Sequence, residues 1–104
     1  MQNPGYTFVS VSTAQPGRLD ELAKVASAPS EKMDGKVDGL IARQVSVDRE
    51  RNTVIVWVTF DRKETLYKYL ASDAGKNDHG EGDDMSCIAT FEMYDCEPVS
   101  GRLG

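Results

Sequence analysis

The 104-residue sequence contains one histidine, one tryptophan and two cysteines, and it has no long apolar run. A transmembrane helix needs about 20 consecutive apolar residues, and no stretch approaches that length. The first residues, MQNPGYTFVSV, lack the basic segment followed by an apolar segment that marks a secretory signal peptide. We therefore expect a cytoplasmic protein.

The scarcity of cysteine and histidine also limits the covalent and metal chemistry. Cys87 and Cys96 lie nine positions apart, in or beside one predicted strand. At about 3.3 Å per strand residue their separation far exceeds the Cα distance of less than about 7 Å that a disulfide tolerates. We predict two free thiols, in keeping with a reducing compartment. One histidine and two separated cysteines do not supply a zinc ligand set, so no metal site is predicted.

Basic residues are outnumbered, with 12 lysines and arginines against 17 aspartates and glutamates and a net charge of -5. Nucleic acids and anionic membranes both select basic surfaces, so neither is expected as a partner. Charged residues make up 28% and hydrophobic residues 39% of the chain, which is typical of a globular domain. We expect a single domain over residues 1–104, with a core of about 6–95 and a tail at 96–104.

Periodicity predicts six elements. Alternating, β-branched segments predict strands at 6–13, 40–47, 53–60 and 87–95. Helical spacing follows Arg18, and a second helix is predicted in DRKETLYKYLAS, residues 61–72. The order is β-α-β-β-α-β, which predicts a ferredoxin-like α+β fold with an antiparallel four-stranded sheet and both helices on one face.

Two local features of the helices are predicted from residue type. Pro29 lacks an amide donor and is expected to end or kink the first helix, with Ser30 capping a further short turn. Asp61 is expected to cap the second helix, because Glu64 follows three residues later as in a capping box.

Both faces of the predicted sheet are apolar, although two helices can cover only one. The third strand carries Val54, Val56, Val58 and Phe60 on one face, and Ile55, Trp57 and Thr59 on the other. The last strand is predicted to alternate in the same way, with Cys87, Ala89, Phe91 and Met93 opposite Ile88, Thr90, Glu92 and Tyr94. An uncovered apolar face marks an interaction surface, and a second copy of the chain is its simplest cover. We predict a homodimer.

The segments TAQPGRLDEL and VTFDRKETLYKYLASD, with a hairpin between them, resemble the antibiotic biosynthesis monooxygenase (ABM) superfamily. The resemblance covers roughly residues 6–95 and implies a dimeric α/β barrel with a small-molecule pocket in each subunit. The superfamily includes cofactor-free monooxygenases that oxidise polycyclic phenols to quinones, heme-degrading enzymes and proteins of unknown activity. One fold therefore leaves several functions open.

The only histidine has three possible roles. YLASDAGKNDH is similar to the segment that carries the iron ligand in the heme-degrading branch, which implies His79 as an axial heme ligand. Tyr69 stands where that branch has tryptophan, and Ser10 where it has a first-strand asparagine. Acidic neighbours favour imidazolium, which cannot bind iron. His79 is thus a solvated loop residue, a catalytic acid or base, or a heme ligand.

The resemblance implies a cofactor-independent monooxygenase acting on a small aromatic or polyketide-like molecule. His79 and Ser10 are the candidate base and hydrogen-bond partner, and the candidate substrate contacts are Trp57, Tyr69, Tyr6 and Phe91. Trp57 is equally a candidate for the dimer seam. The alternatives are a heme-binding or heme-degrading protein and a non-catalytic dimeric module that binds a small molecule.

Overall fold

A computed structural model of the chain describes residues 4–35, 37–72 and 86–101. These described residues form four strands and two helices in the order β-α-β-β-α-β, which confirms the predicted order. The elements are β1 (Tyr6–Ala14), α1 (Leu19–Met33), β2 (Leu40–Asp48), β3 (Thr53–Phe60), α2 (Lys63–Ala71) and β4 (Ile88–Cys96). His79 and the acidic segment around it lie outside the described residues.

The four strands form one sheet in the order β2-β3-β1-β4, with every neighbouring pair antiparallel. The first and third strands, which are separated by a helix and a strand in sequence, are adjacent at the centre. This is the ferredoxin-like α+β fold. No described helix is long and apolar enough to span a lipid bilayer.

The β2–β3 hairpin also ties down the end of β1. Asn52 takes a positive φ of 53°, a conformation that asparagine tolerates better than most residues. Its side-chain amide donates to the carbonyl oxygen of Ala14 at 2.7 Å, and its own carbonyl accepts from the Ala14 amide at 2.9 Å. The turn therefore fixes the central pair of strands as well as the hairpin.

Strand alternation places one face of the sheet under the helices. On β3 the helix-facing residues Val54, Val56, Val58 and Phe60 are all buried, as the alternation predicts. Leu22 and Met33 of α1 and Leu66 of α2 pack onto this face and complete the core. The opposite face carries Ile55 and Trp57, and none of the described helices covers it.

Helix α1 does not end at Pro29, so of the two outcomes expected from sequence, an end or a kink, the end is wrong. Pro29 lies inside a continuous helix from Leu19 to Met33. Leu22 before the proline and Met33 after it are both buried against the sheet. Packing on both sides offsets the single backbone hydrogen bond that proline removes.

The N-terminus of α2 also differs from the prediction. The helix begins at Lys63 with Arg62 as N-cap, and no side chain caps it. Asp61 lies one position too early and instead accepts a hydrogen bond from the hydroxyl of Thr65. The predicted capping box is therefore absent.

A bulge near the start of β4 changes the faces that simple alternation predicts. Thr13 pairs with Thr90, whereas Ala14 pairs with Ile88, so Ala89 is an extra residue. Ile88 consequently lies on the same face as Phe91 rather than on the opposite one. Both cysteines are free, as predicted.

Candidate functional site

A cavity of about 390 Å³ lies between the helix-facing side of the sheet and the two helices. Its walls are mostly aliphatic and aromatic. They include Leu22 and Val25 of α1, Val56 and Val58 of β3, and Leu66 and Leu70 of α2. Pockets of this size and character are typical of sites for small organic molecules.

The cavity opens beside β4. This strand is at the edge of the sheet, and the helices pack mainly over β1, β2 and β3. Phe91 and Met93 border the cavity from β4, yet they are 50% and 60% exposed. Two large apolar side chains thus form a rim that a planar hydrophobic molecule would contact on entry.

Four hydroxyl groups line the otherwise apolar cavity, from Ser10, Ser12, Ser30 and Tyr67. Ser30 donates to the carbonyl oxygen of Ser27 at 3.2 Å, and Tyr67 donates to Asp95. Ser10 and Ser12 are 8% and 3% exposed, and neither side chain has a hydrogen-bond partner among the described residues. Their spacing of two residues places both on the cavity side of β1.

A polar network adjoins the cavity through Tyr67. The carboxylate of Asp95 accepts a short hydrogen bond from Tyr6, and the Tyr67 hydroxyl lies 3.2 and 3.3 Å from its two oxygens. The Lys63 ammonium is 3.9 Å from the same carboxylate and 5.4 Å from the centroid of the Tyr67 ring. Tyr67 is the member of this network that reaches the cavity.

The network shifts two pKa values in opposite directions. Burial, followed by the hydrogen bond and the negative charge of Asp95, raises the pKa of Tyr6 well above its ordinary value. The hydrogen bond from Tyr6 is the main cause that lowers the pKa of Asp95. At neutral pH, Asp95 is therefore a carboxylate that accepts a hydrogen bond from the neutral phenol of Tyr6, and it is a weak base.

The predicted site residues separate into three groups. Ser10 and Phe91 line the cavity. Tyr6 and Tyr69 are buried elsewhere: Tyr6 stacks on Phe60 with centroids 6.1 Å apart, and Tyr69 borders a separate polar groove. Trp57 lies on the sheet face away from the cavity, where its indole nitrogen donates to Gln44 at 3.1 Å.

Among residues 4–35, 37–72 and 86–101, no group of three or more His, Cys, Asp or Glu side chains is placed to hold a metal ion. The part of the cavity lining that the structure describes has no lysine or arginine to pair with heme propionates. His79, the one candidate iron ligand, lies outside the described residues. The described lining therefore offers heme neither an axial histidine nor a basic partner for its propionates.

Three residues that border or organise the site were not singled out from the sequence. Ser12 carried a usable signal, because it follows Ser10 by two residues and must share its face. Tyr67 and Asp95 had no comparable signal. Tyr67 and Asp95 meet because β4 lies beside β1 and the end of β4 approaches α2.

No protein-family model and no curated protein sequence matches the chain. Solved structures do match it. SnoaB, a cofactor-independent oxygenase from Streptomyces nogalater, superimposes in a mutant form with a TM-score of 0.75 and 13% identity, covering 95% of this chain and 97% of SnoaB.

Two further structures are provisionally described as antibiotic biosynthesis monooxygenases. The one from Caulobacter crescentus has a TM-score of 0.71 at 17% identity and covers 93% of this chain and 92% of its own. The one from Chloroflexus aurantiacus has a TM-score of 0.66 at 19% identity, with coverages of 93% and 95%. The resemblance seen in the sequence is confirmed at the level of the fold: this chain has the ferredoxin-like fold of the antibiotic biosynthesis monooxygenases.

Proposed function

We propose that the protein is a cofactor-independent monooxygenase that acts on a small aromatic or polyketide-like molecule bound in the cavity. The observation that carries the proposal is the cavity itself, about 390 Å³ with apolar walls and a few hydroxyl groups. The similarity in fold to SnoaB, a cofactor-independent oxygenase, supports the same chemistry.

The reaction suited to such a cavity is oxidation of an acidic aromatic methylene, as in an anthrone, to a carbonyl. The carbon loses a proton to a base, and the carbanion gives one electron to O₂. Recombination and return of the proton form a hydroperoxide, which loses water. One oxygen atom stays in the product, and the other leaves as water with the two methylene hydrogens.

The chain's own groups would support this reaction by position. The apolar walls exclude water around the anion and strengthen any hydrogen bond made to it. Ser10 is placed to donate to a substrate oxygen, where the negative charge is delocalised. The described lining contains no carboxylate and no histidine. The proposed base is His79, outside the described residues, or else the substrate is acidic enough to lose its proton to water.

We also propose that a second copy covers the open face of the sheet. This face carries Val9, Val11, Ile55, Trp57 and Tyr94 from three neighbouring strands. Ile55 is 36% exposed and Tyr94 47% exposed. A twofold axis would bury the same patch of both chains against each other.

Oxygen uptake with 1,8-dihydroxy-9-anthrone tests the enzymatic proposal. The protein should accelerate uptake beyond the rate in buffer, and the matching anthraquinone should accumulate. Ala26→Trp, which fills the cavity from α1, should abolish the acceleration, whereas Lys24→Trp on the exposed side of the same helix should not. Uptake no faster than in buffer, or equal in both variants, would contradict the proposal.

The two alternatives give different results in parallel assays. A non-catalytic module would bind the anthrone or its quinone without accelerating oxygen uptake. A heme protein would develop a Soret band on mixing with hemin, and His79→Ala would remove it.

A further inference from the structure

We infer that Ser10 and Ser12 form a two-hydroxyl site on the cavity floor that binds the carbonyl oxygen of a flat, apolar molecule. The inference rests on the proposed function and deepens it by assigning individual side chains to the binding of the substrate oxygen. It makes Ser12 a residue that determines specificity, alongside Ser10.

The cavity hydroxyls differ in whether they already donate to an acceptor in the protein. Ser30 and Tyr67 donate to Ser27 and Asp95 respectively, so their protons are committed to the protein. Ser10 and Ser12 are the two cavity hydroxyls without such an acceptor among the described residues. They are therefore the groups that have a proton to offer a bound molecule.

Burial is the second property that Ser10 and Ser12 share. Ser10 and Ser12 are more than nine-tenths buried, on a central strand beneath two helices. Buried polar groups in folded proteins almost always have partners, and an unpaired one is destabilising. No fully buried side-chain oxygen or nitrogen among the described residues lacks a partner. The hydroxyls of Ser10 and Ser12 are therefore accessible from the cavity, where a bound molecule can supply the acceptor.

Ser10 and Ser12 are also aligned along β1. Residues i and i+2 of a strand point to the same face, roughly 6.6 Å apart along it. The two hydroxyls therefore form a row along β1, bordered by Val56 on β3 and by Phe91 and Met93 on β4. A flat ring system lying on these apolar neighbours would direct an edge oxygen to the serine row.

The bound molecule is better described as a ketone than as a carboxylate. The described lining contains no lysine, arginine or histidine, so an anionic headgroup would lose its hydration without gaining a counter-charge. A neutral carbonyl needs only one hydrogen-bond donor, and its burial costs much less free energy than burial of a carboxylate. If the carbon next to that carbonyl ionises, the same serine hydrogen bond strengthens as charge moves onto the oxygen.

A matched pair of probes, 9-fluorenone and fluorene, tests the inference, because the two differ chiefly by the carbonyl. Equilibrium dialysis of the full chain should show fluorenone binding roughly three- to tenfold more tightly than fluorene, as expected for one hydrogen bond in a dry site. Ser10→Ala/Ser12→Ala should remove that preference by weakening fluorenone alone. The single variants then show which hydroxyl is used.

Ser46→Ala is the matched control, since Ser46 lies on the opposite face of the same sheet, paired with Ile55. It should leave both affinities unchanged. Equal binding of the two probes to the native chain, or a preference that survives in the double variant, would overturn the inference and leave the proposed function standing. Failure of both probes to bind would overturn the inference and the use of the cavity together.

Discussion

Tyr6 donates the hydrogen bond of its phenol to the carboxylate of Asp95, and this contact joins the first strand to the last, 89 residues away in sequence. Tyr6 is 3% exposed and Asp95 lies at the surface, so the bond runs from the core to the edge strand. Tyr67 brings α2 to the same carboxylate. One acidic side chain therefore connects three elements beside the cavity.

Replacing Tyr6 with phenylalanine should lower the stability of the fold, since Asp95 loses the donor that chiefly lowers its pKa. A carboxylate whose pKa is lower when folded stabilises the protein above its unfolded pKa of about 3.9, and this contribution fades as the pH falls through the folded pKa. In urea titrations, the difference between native and Tyr6→Phe chains should be full at neutral pH and shrink below about pH 4.

The exposed Tyr94 provides the control for that experiment. Its hydroxyl donates to Glu92 on its own strand and bonds no other described element of its own chain, so Tyr94→Phe should lower the stability of the fold less than Tyr6→Phe. A Tyr6→Phe penalty that stays constant down to acid pH would show that lost packing, rather than the Asp95 bond, is responsible.

Two glycines with positive φ offer a matched test of local crowding. Gly35 has a φ of 75° with open space where a Cβ would stand, whereas Gly39 has a φ of 98° and its Cβ would lie 2.5 Å from the Asp61 carboxylate. Gly35→Ala should cost roughly 1–2 kcal/mol for the left-handed backbone alone. Gly39→Ala should cost more, because Asp61 must also move. Equal changes in the free energy of unfolding would contradict this account.

The two free thiols should differ in reactivity with Ellman's reagent. Cys87 is fully buried, while Cys96 is partly exposed at the end of the edge strand. We expect Cys96 to react in the folded protein and Cys87 to react only on denaturation, which the Cys96→Ser variant isolates. Rapid reaction of Cys87 in the folded chain would mean that the start of β4 opens readily.

Strand faces were predictable from sequence wherever the backbone is regular. Alternation along a regular strand places Val54 and Val56 on one side of β3 and Trp57 on the other. The same rule misplaced Ile88, since the bulge at Ala89 inserts one residue and has no signature in the hydrophobic pattern. The expected end of α1 at Pro29 is wrong for another reason: burial of Leu22 and Met33 on either side of it outweighs the local preference of proline.

The candidate site was less accessible to sequence reasoning than the fold. Ser10 and Phe91 could be selected because they lie on strands of known facing, but the cavity depends on how far the helices stand from the sheet. Asp95 and Tyr67 come together through strand order and helix docking. Such proximity has no local sequence signal, which is why the Tyr6–Asp95 network emerges only from the structure.

The proposed dimer predicts opposite outcomes for two adjacent residues of β3. Val56 is 6% exposed beneath the helices, so Val56→Asp buries an unpaired charge, costs several kcal/mol and should unfold the chain. Trp57 faces the other way, on the open sheet face. Trp57→Asp should therefore separate the subunits while the far-ultraviolet circular dichroism stays native. Sedimentation should give twice the 11.4 kDa chain mass for the native protein and the single mass for Trp57→Asp. A native chain that sediments as a monomer at micromolar concentration would contradict the proposed cover of this face. The exposed Ile55 and the partly exposed Trp57 would then need another partner.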